Sequence, residues 1–481
     1  MRFAGITLVV LVLRVAAATA GPPLANPPEL ASRDGVLSGT LTVAPGEVVF
    51  GGRHYETTLY NGQYIPPLLR VQPGDRVQLH LSNSSREATN IHYHGFTVTP
   101  QEGGDDAFVH VEPGTAFDYD FPIPAHHMVG LYWYHPHLHP MVNREIAGGL
   151  SGGIVMGDIL APFPELRGIA ERIMLLKDLK VRHGVVVLDP DPSGKTIRTI
   201  NGLLKPRIDI APGELQFWRI GNVGANIFYR LKLPRHVFTV IGVDGRRQNQ
   251  IVTTKELVIP PGGRYEVLVR GAKPGKYPLR ALPFDTGRGG DRYPGQQLAT
   301  VVSRGPQVAA PIGLPTALPP VPDLRALRLT RERTVVFANA GTDLPDHFTI
   351  DDRIYDHNRI DTTVTLGDVE QWTVRNTSTE LHVFHIHQTY FQVVAVDGTP
   401  QPFVGYQDTV TLPAATRRAG VVVPSEVKMI IPFTDPEVVG KFVYHCHIAQ
   451  HADQGMMANI EVVPAGASPA VHPASVAAHA E

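Results

Sequence analysis

One pattern occurs three times in this 481-residue chain, and that repeat limits the possible folds more than any other feature. A glycine, an acidic residue, an alternating stretch and an asparagine run from Gly74-Asp75 to Asn83, from Gly213-Glu214 to Asn222, and from Gly367-Asp368 to Asn376. In each copy the asparagine follows the glycine by nine positions. Arg76-Val77-Gln78-Leu79-His80-Leu81 alternates with the period of two that a half-buried strand requires. Later parts recur too: Pro113-Gly114, Pro261-Gly262 and Pro424-Ser425 open alternating segments, and Gly130 to His137, Gly275 to Leu282 and Gly440 to His447 follow them. A strand-rich unit of roughly 130–150 residues, written three times, predicts an all-β protein of three consecutive β-sandwich domains. They are placed at 36–160, 165–305 and 325–465. The 46 glycines and 43 prolines fit short strands joined by tight turns. Proline-rich Gly305 to Pro322 is expected to be the second linker.

The N-terminus has Arg2, an apolar run from Ile6 to Leu13, and small residues ending Ala18-Thr19-Ala20. That order predicts a secretory signal peptide over 1–20, and so a periplasmic or secreted protein. Arg14 interrupts the apolar run far short of the roughly 20 residues a membrane span needs. No twin-arginine pair and no cysteine for lipid attachment precede the mature chain. The tail at 466–481 is rich in Ala, Pro and His and is expected to be disordered. A formal net charge of -2 gives no electrostatic case for nucleic acid or anionic lipid.

Counting from the repeated asparagine locates the histidines. His92 and His94 stand nine and eleven residues after Asn83, and His385 and His387 stand nine and eleven after Asn376. From Asn222 the same count reaches Leu231 and Leu233. A second element behaves alike: five and seven residues from Gly130 lie His135 and His137, and from Gly440 lie His445 and His447. From Gly275 the steps give Arg280 and Leu282. Residues two apart on a strand share a face, so each His-x-His pair can reach one metal site. The outer modules therefore carry equivalent ligand pairs and the middle one serves as a connector. Eight imidazoles exceed what one structural or catalytic zinc ion uses.

Cys446 is the only cysteine, so there is no internal disulfide. Between His445 and His447 it points to the opposite face, toward a second site. His451 follows five residues on, Met456 ten residues on, and His382 stands three residues before His385. Two histidines, a thiolate and a weak methionine are the ligand set of a blue-copper electron-transfer site. A nucleophilic Cys-His pair would leave Met456 and the eight paired histidines unexplained.

Four motifs carry a resemblance: His92-Tyr93-His94-Gly95, Tyr134-His135-Pro136-His137, His382-Val383-Phe384-His385-Ile386-His387, and His445-Cys446-His447 through His451 to Met456. With them the chain resembles the three-domain multicopper oxidases of the bacterial laccase-like kind. The resemblance implies cupredoxin-like Greek-key β-sandwich domains and four copper ions per chain. A type 1 copper would take His382, Cys446 and His451, with Met456 axial. A type 2 copper would take His92 and His385, and a type 3 pair His94, His135, His137, His387, His445 and His447. His139 continues the alternation of His135 and His137. Dioxygen and a small reducing substrate would be the partners, with electrons entering at His382 or His451 and crossing Cys446.

Phenols and aromatic amines are the expected donors, because the 8 methionines form no Met-rich insert to ferry Cu(I). The alternative is a metallo-oxidase of Cu(I), Fe(II) or Mn(II). A copper-free scaffold relative, with a cell-division role, would have lost ligands, and none is missing. A copper nitrite reductase has no use for the type 3 histidines. The loop from Pro283 to Gln297 is a candidate wall of the donor pocket. Dioxygen reduction also needs protons. Many bacterial relatives carry acids on both sides of the second type 1 histidine, where this chain has Gln450 and Ala452. Asp105, with Asp106 in reserve, and Asp453 are the carboxylates expected to supply them.

Overall fold

The computed structural model describes residues 21–188, 195–339 and 347–466. The expected signal peptide, and the expected tail beyond residue 466, lie outside the described residues. Among the described residues, six larger β-sheets form three packed pairs in chain order, with two small two-stranded sheets beside them.

The repeat seen in the sequence is a repeat in space. In each copy the strand ending at the shared asparagine is the hub of one sheet. Arg76–Asn83 runs parallel to Val36–Phe50 and antiparallel to Ala116–Pro122. Leu215–Asn222 does the same between Ala170–Arg182 and Arg264–Arg270, and Asp368–Asn376 between Arg331–Asn339 and Ser425–Phe433. Each hub strand is entered through a glycine whose φ is 93° (Gly74), 80° (Gly213) or 101° (Gly367), a left-handed turn that side chains with a Cβ resist. The asparagines explain their own recurrence. Asn83 Nδ2 donates to the carbonyls of Glu87 and Val111, Asn222 Nδ2 to Ile227 and Ile259, and Asn376 Nδ2 to Glu380 and Pro413. Each buried amide thus ties down the chain that leads to the second sheet, satisfying carbonyls that would otherwise be stranded.

The second sheets hold the equivalent strands His92–His94, Tyr229–Lys232 and His382–Ile386, paired respectively with Gly130–His135, Gly275–Leu282 and Gly440–Cys446. Where the outer copies carry histidines, the middle copy packs Leu231 and Leu233 into its own apolar core. Burying each such side chain stabilises by roughly 1.5–3 kcal/mol.

Three interior clusters fill the three sandwiches. A fourth joins them: Leu68, Leu131 and Trp133 meet Ile173, Leu175, Val223 and Ala449. Lys177 fixes the second sandwich to the first, its buried ammonium donating to the carbonyls of Tyr64, Gly149 and Ser151 at 2.6, 2.5 and 3.0 Å. The third domain joins this seam through Ala449, whose N–H donates to the Ala225 carbonyl.

Candidate metal centres

Strand pairing gathers the histidines. On the first domain His92 lies opposite His135 across the ladder; on the third, His385 lies opposite His445. The two sheets present these faces to each other, so rings stack across the domain boundary. His92 lies on His387 with centroids 3.7 Å apart, and His94 on His385 at 3.9 Å. His445 Nε2 is 3.1 Å from His137 Nε2 and 3.3 Å from His387 Nε2, and His447 Nε2 is 3.1 Å from His94 Nδ1. All eight expected imidazoles therefore line one buried space between domains, none more than 2% exposed.

Three of the outer nitrogens are held by fixed acceptors. His92 Nδ1 meets both oxygens of Asp105 at 2.9 and 3.0 Å, His135 Nδ1 donates to the Pro136 carbonyl, and His385 Nδ1 to the Asp408 carbonyl. Such outer bonds fix ring and tautomer so that the inner nitrogen keeps its lone pair. The inner Nε2 atoms of His92, His135 and His385 are buried without any hydrogen-bond partner. Burial also lowers the pKa of these rings, which keeps them neutral and able to donate lone pairs.

Cys446 faces the other way, as the pleat requires. Its Sγ lies in the core of the third domain, 3.7 Å from Nδ1 of both His382 and His451, and those two nitrogens are 3.1 Å apart. The chain leaves Cys446, forms the short helix Ala449–Asp453 carrying His451, and returns so that Cys446 N donates to the Met456 carbonyl. Met456 is buried in the same apolar cluster as Cys446. Met457 points oppositely and lines a small cavity with His137 and Tyr355. Burial pushes the Cys446 thiol up to about 12; a bound soft cation deprotonates such a thiol outright.

The carboxylates expected to move protons are distributed differently. Asp105 touches the cluster, and its oxygens also accept from Tyr93 N and Gln388 Nε2. Burial raises it to about 7 against those two hydrogen bonds. Asp106 turns away and accepts from Phe108 N. Asp453 accepts from the Val142 and Asn143 amides, capping the helix Val142–Gly148 of the first domain. His139 Nδ1 is 4.0 Å from the Asp453 carboxylate.

Sequence reasoning missed a buried ionic group in which two arginines of the middle domain meet an aspartate of the third. Asp408, fully buried, is paired with Arg264 Nη2 at 2.7 Å and with Arg246 Nη1 at 2.6 Å. Its Oδ1 is 3.3 Å from His94 Nε2. Burial works against ionisation of Asp408, but the two guanidinium groups overcome it and hold the carboxyl below the ordinary range. Two arginines of the connector thus buttress histidines from both outer domains. The sole hint in the sequence is Arg264 just beyond the repeated Pro261-Gly262 turn. Glu380 was also missed; its Oε2 is 3.8 Å from His451 Nε2.

One sulfur with two imidazoles, beside eight buried imidazoles of which three have partnerless inner nitrogens, is a donor set that fits copper. Models of the multicopper oxidase family match residues 42–159, 185–306 and 328–466. The chain is 24% identical over 444 residues to multicopper oxidase mco of Staphylococcus haemolyticus (strain JCSC1435), covering 89% of each chain. It is 27% identical over 474 residues to the cell division protein FtsP of Escherichia coli (strain K12), covering 94% of this chain and 95% of that one. Among solved structures it is similar to the multicopper oxidase from Campylobacter jejuni, a metallo-oxidase, with a TM-score of 0.75, 25% identity, and 92% and 96% of the two chains covered. The chain belongs to the multicopper oxidase family, with its cupredoxin-like fold, and is a copper-dependent oxidase that uses dioxygen and a reducing substrate.

Proposed function

We propose that this oxidase takes single electrons from phenols and aromatic amines and uses four of them to reduce dioxygen to water. His382, Cys446 and His451, with Met456 as the weak axial donor, would hold a type 1 copper. His92 and His385 would hold a type 2 copper, and His94, His135, His137, His387, His445 and His447 a type 3 pair. Bound copper supplies reversible one-electron storage, four ions matching the four electrons of dioxygen. The residues do the rest. Cys446 lies in sequence between His445 and His447, so a few covalent bonds join the sulfur site to the imidazole cluster. The protein is further proposed to be exported through residues 1–20; among the described residues no helix is long and apolar enough to cross a membrane.

The donor reading is carried by the surroundings of His451. The outer nitrogen of His382 is engaged by Ser378 Oγ at 3.0 Å and that ring is fully buried. His451 instead directs Nε2 toward Glu380, and Phe348 stacks on its ring with centroids 4.0 Å apart. A phenol seated there donates its hydroxyl hydrogen bond to Glu380 beside an aromatic wall. The loop from Pro283 to Gln297 lies against the same segment, Gly287 bridging Glu380 and Gly289 N donating to the Thr379 carbonyl.

Oxidation of Fe(II) or Mn(II) is the second reading. It is favoured by Asp291, whose charge adds to burial in raising Glu380 to about 7, since two neighbouring carboxylates suit a hard cation. Steady-state rates on a phenol, Fe(II), Cu(I) and Mn(II) side by side decide between them. The phenol is expected to give the highest kcat/KM, and Glu380→Gln to lower it about tenfold, the worth of one charge-assisted hydrogen bond. A metal ion oxidised faster than the phenol, by a parent whose phenol kinetics ignore Glu380→Gln, sinks the organic reading.

A further inference from the structure

Reducing one dioxygen to two waters consumes four protons with the four electrons, and those protons must reach a buried cluster. Asp105 and Asp453 are engaged by fixed donors, as described above, and Asp106 faces away. Glu145 differs from all three. It sits on the helix Val142–Gly148, is 7% exposed, and its Oε2 has no hydrogen-bond partner. Inward it faces Thr89, which is close enough to affect its ionisation but whose hydroxyl is also buried without a partner. The next residue, Asn90, accepts the backbone N–H of the cluster residue His137 at 2.6 Å. Outward, Glu145 lines a surface cleft of about 280 Å³ together with Glu56, Glu87 and Arg144. A carboxyl therefore stands between solvent and the segment that seats a cluster histidine.

We propose that Glu145 is a proton-loading carboxyl for dioxygen reduction, taking protons from water in the cleft at Glu87 and passing them inward past the Thr89 hydroxyl. This rests on the reading of the eight-histidine cluster as the site of dioxygen reduction. For each proton released inward from the carboxylic acid, one is taken up from the cleft, so the group is unchanged over the cycle. Its surroundings favour the protonated form. Burial raises the pKa well above the ordinary glutamate range, Thr89 opposes this, and the charges of Asp453 and Glu87 add to it. The other groups facing it are Arg144, paired with Glu87 at 3.3 Å, Glu56 across the cleft, and the buried Tyr60 hydroxyl. None of them is a base bonded to it.

The test compares the parent with Glu145→Gln, which keeps shape but cannot release a proton. In copper-loaded protein, stopped-flow reoxidation by dioxygen is expected to slow at least about a hundredfold, the low end of what a positioned acid contributes. Copper content and the rate of blue-colour reduction by substrate should stay at parental values. In copper-free protein, the infrared carbonyl stretch of a buried carboxylic acid should disappear. Thermal scans should also separate with pH. A glutamate whose folded pKa is raised makes the parent lose stability as pH climbs from the ordinary glutamate range through the raised value, and Glu145→Gln should escape that loss. Thr89→Val, at the other end of the path, should slow reoxidation too, and it carries the test if Glu145→Gln fails to fold. A parent that makes water while both variants reoxidise at its rate overturns the proposal alone. A loaded parent that leaves dioxygen unreduced overturns the oxidase cluster reading and the proposal with it, while the infrared band still reports the state of Glu145.

Discussion

Cys446 places one sulfur within 3.7 Å of two imidazole nitrogens while its chain neighbours His445 and His447 enter a different cluster. Cys446→Ser should therefore remove the intense blue absorption and turnover together, leaving the fold and most of the cluster copper. Absorption spectra and copper analysis check it, and a blue, active variant would contradict the assignment. Met456→Leu should raise the potential of the sulfur site, since losing a weak axial donor destabilises Cu(II) relative to Cu(I). Redox titration gives the sign, and an unchanged or lowered potential rules Met456 out as the axial donor. All these side chains were legible because metal ligation imposes local spacings: two apart on a strand, five and ten residues past a cysteine. Asp408 and Arg264 were not. They meet across 144 residues of sequence, and a single aspartate between Gln407 and Thr409 repeats nothing. Glu380 was equally hidden, its closeness to His451 arising from folding and not from any motif.

Strands were legible for the same kind of reason, and short helices were not. The alternation around Val77, Leu79 and Leu81 reports a sheet with one buried face, and those residues are at most 1% exposed. Val142–Gly148 is only seven residues long and Ala449–Asp453 five, too short for a 3.6-residue periodicity to emerge. These two helices pack together, and the second caps the first: Asp453 accepts the Val142 and Asn143 amides at 3.2 and 2.7 Å. Asp453→Ala should cost about 1 kcal/mol, the usual worth of a lost N-terminal cap. Faster hydrogen exchange at the Val142 and Asn143 amides would accompany the lower unfolding temperature. Unchanged exchange there would mean the cap contributes nothing.

Across the whole molecule the middle domain does more than connect. Its arginines reach the carboxylate beside His94 and His385, so Arg264→Met should cost roughly 3–5 kcal/mol by leaving a buried charge underpaired. The type 2 copper signal in electron paramagnetic resonance should change while the blue band persists; if both stay parental, the arginine serves stability alone. The middle domain should still refuse copper of its own. Leu231→His with Leu233→His would bury two imidazoles in an apolar core, where the facing strand offers only Leu279 and Ala281 and no second pair, at roughly 1–3 kcal/mol for each unsatisfied group. Copper stoichiometry above the parent's would show the domain to be misread. The joining of first and third domains also sets a timetable. His94 and His447 touch across 353 residues. A ribosome adding roughly 5–20 residues per second finishes that stretch about 20–70 s after making His94. Until then the first domain holds half a chelate, open on the side where the last domain will dock. Metal capture by the finished cluster is thus a late event in the life of the chain, and a truncated product stalled before His445 could fold two domains yet never close the site.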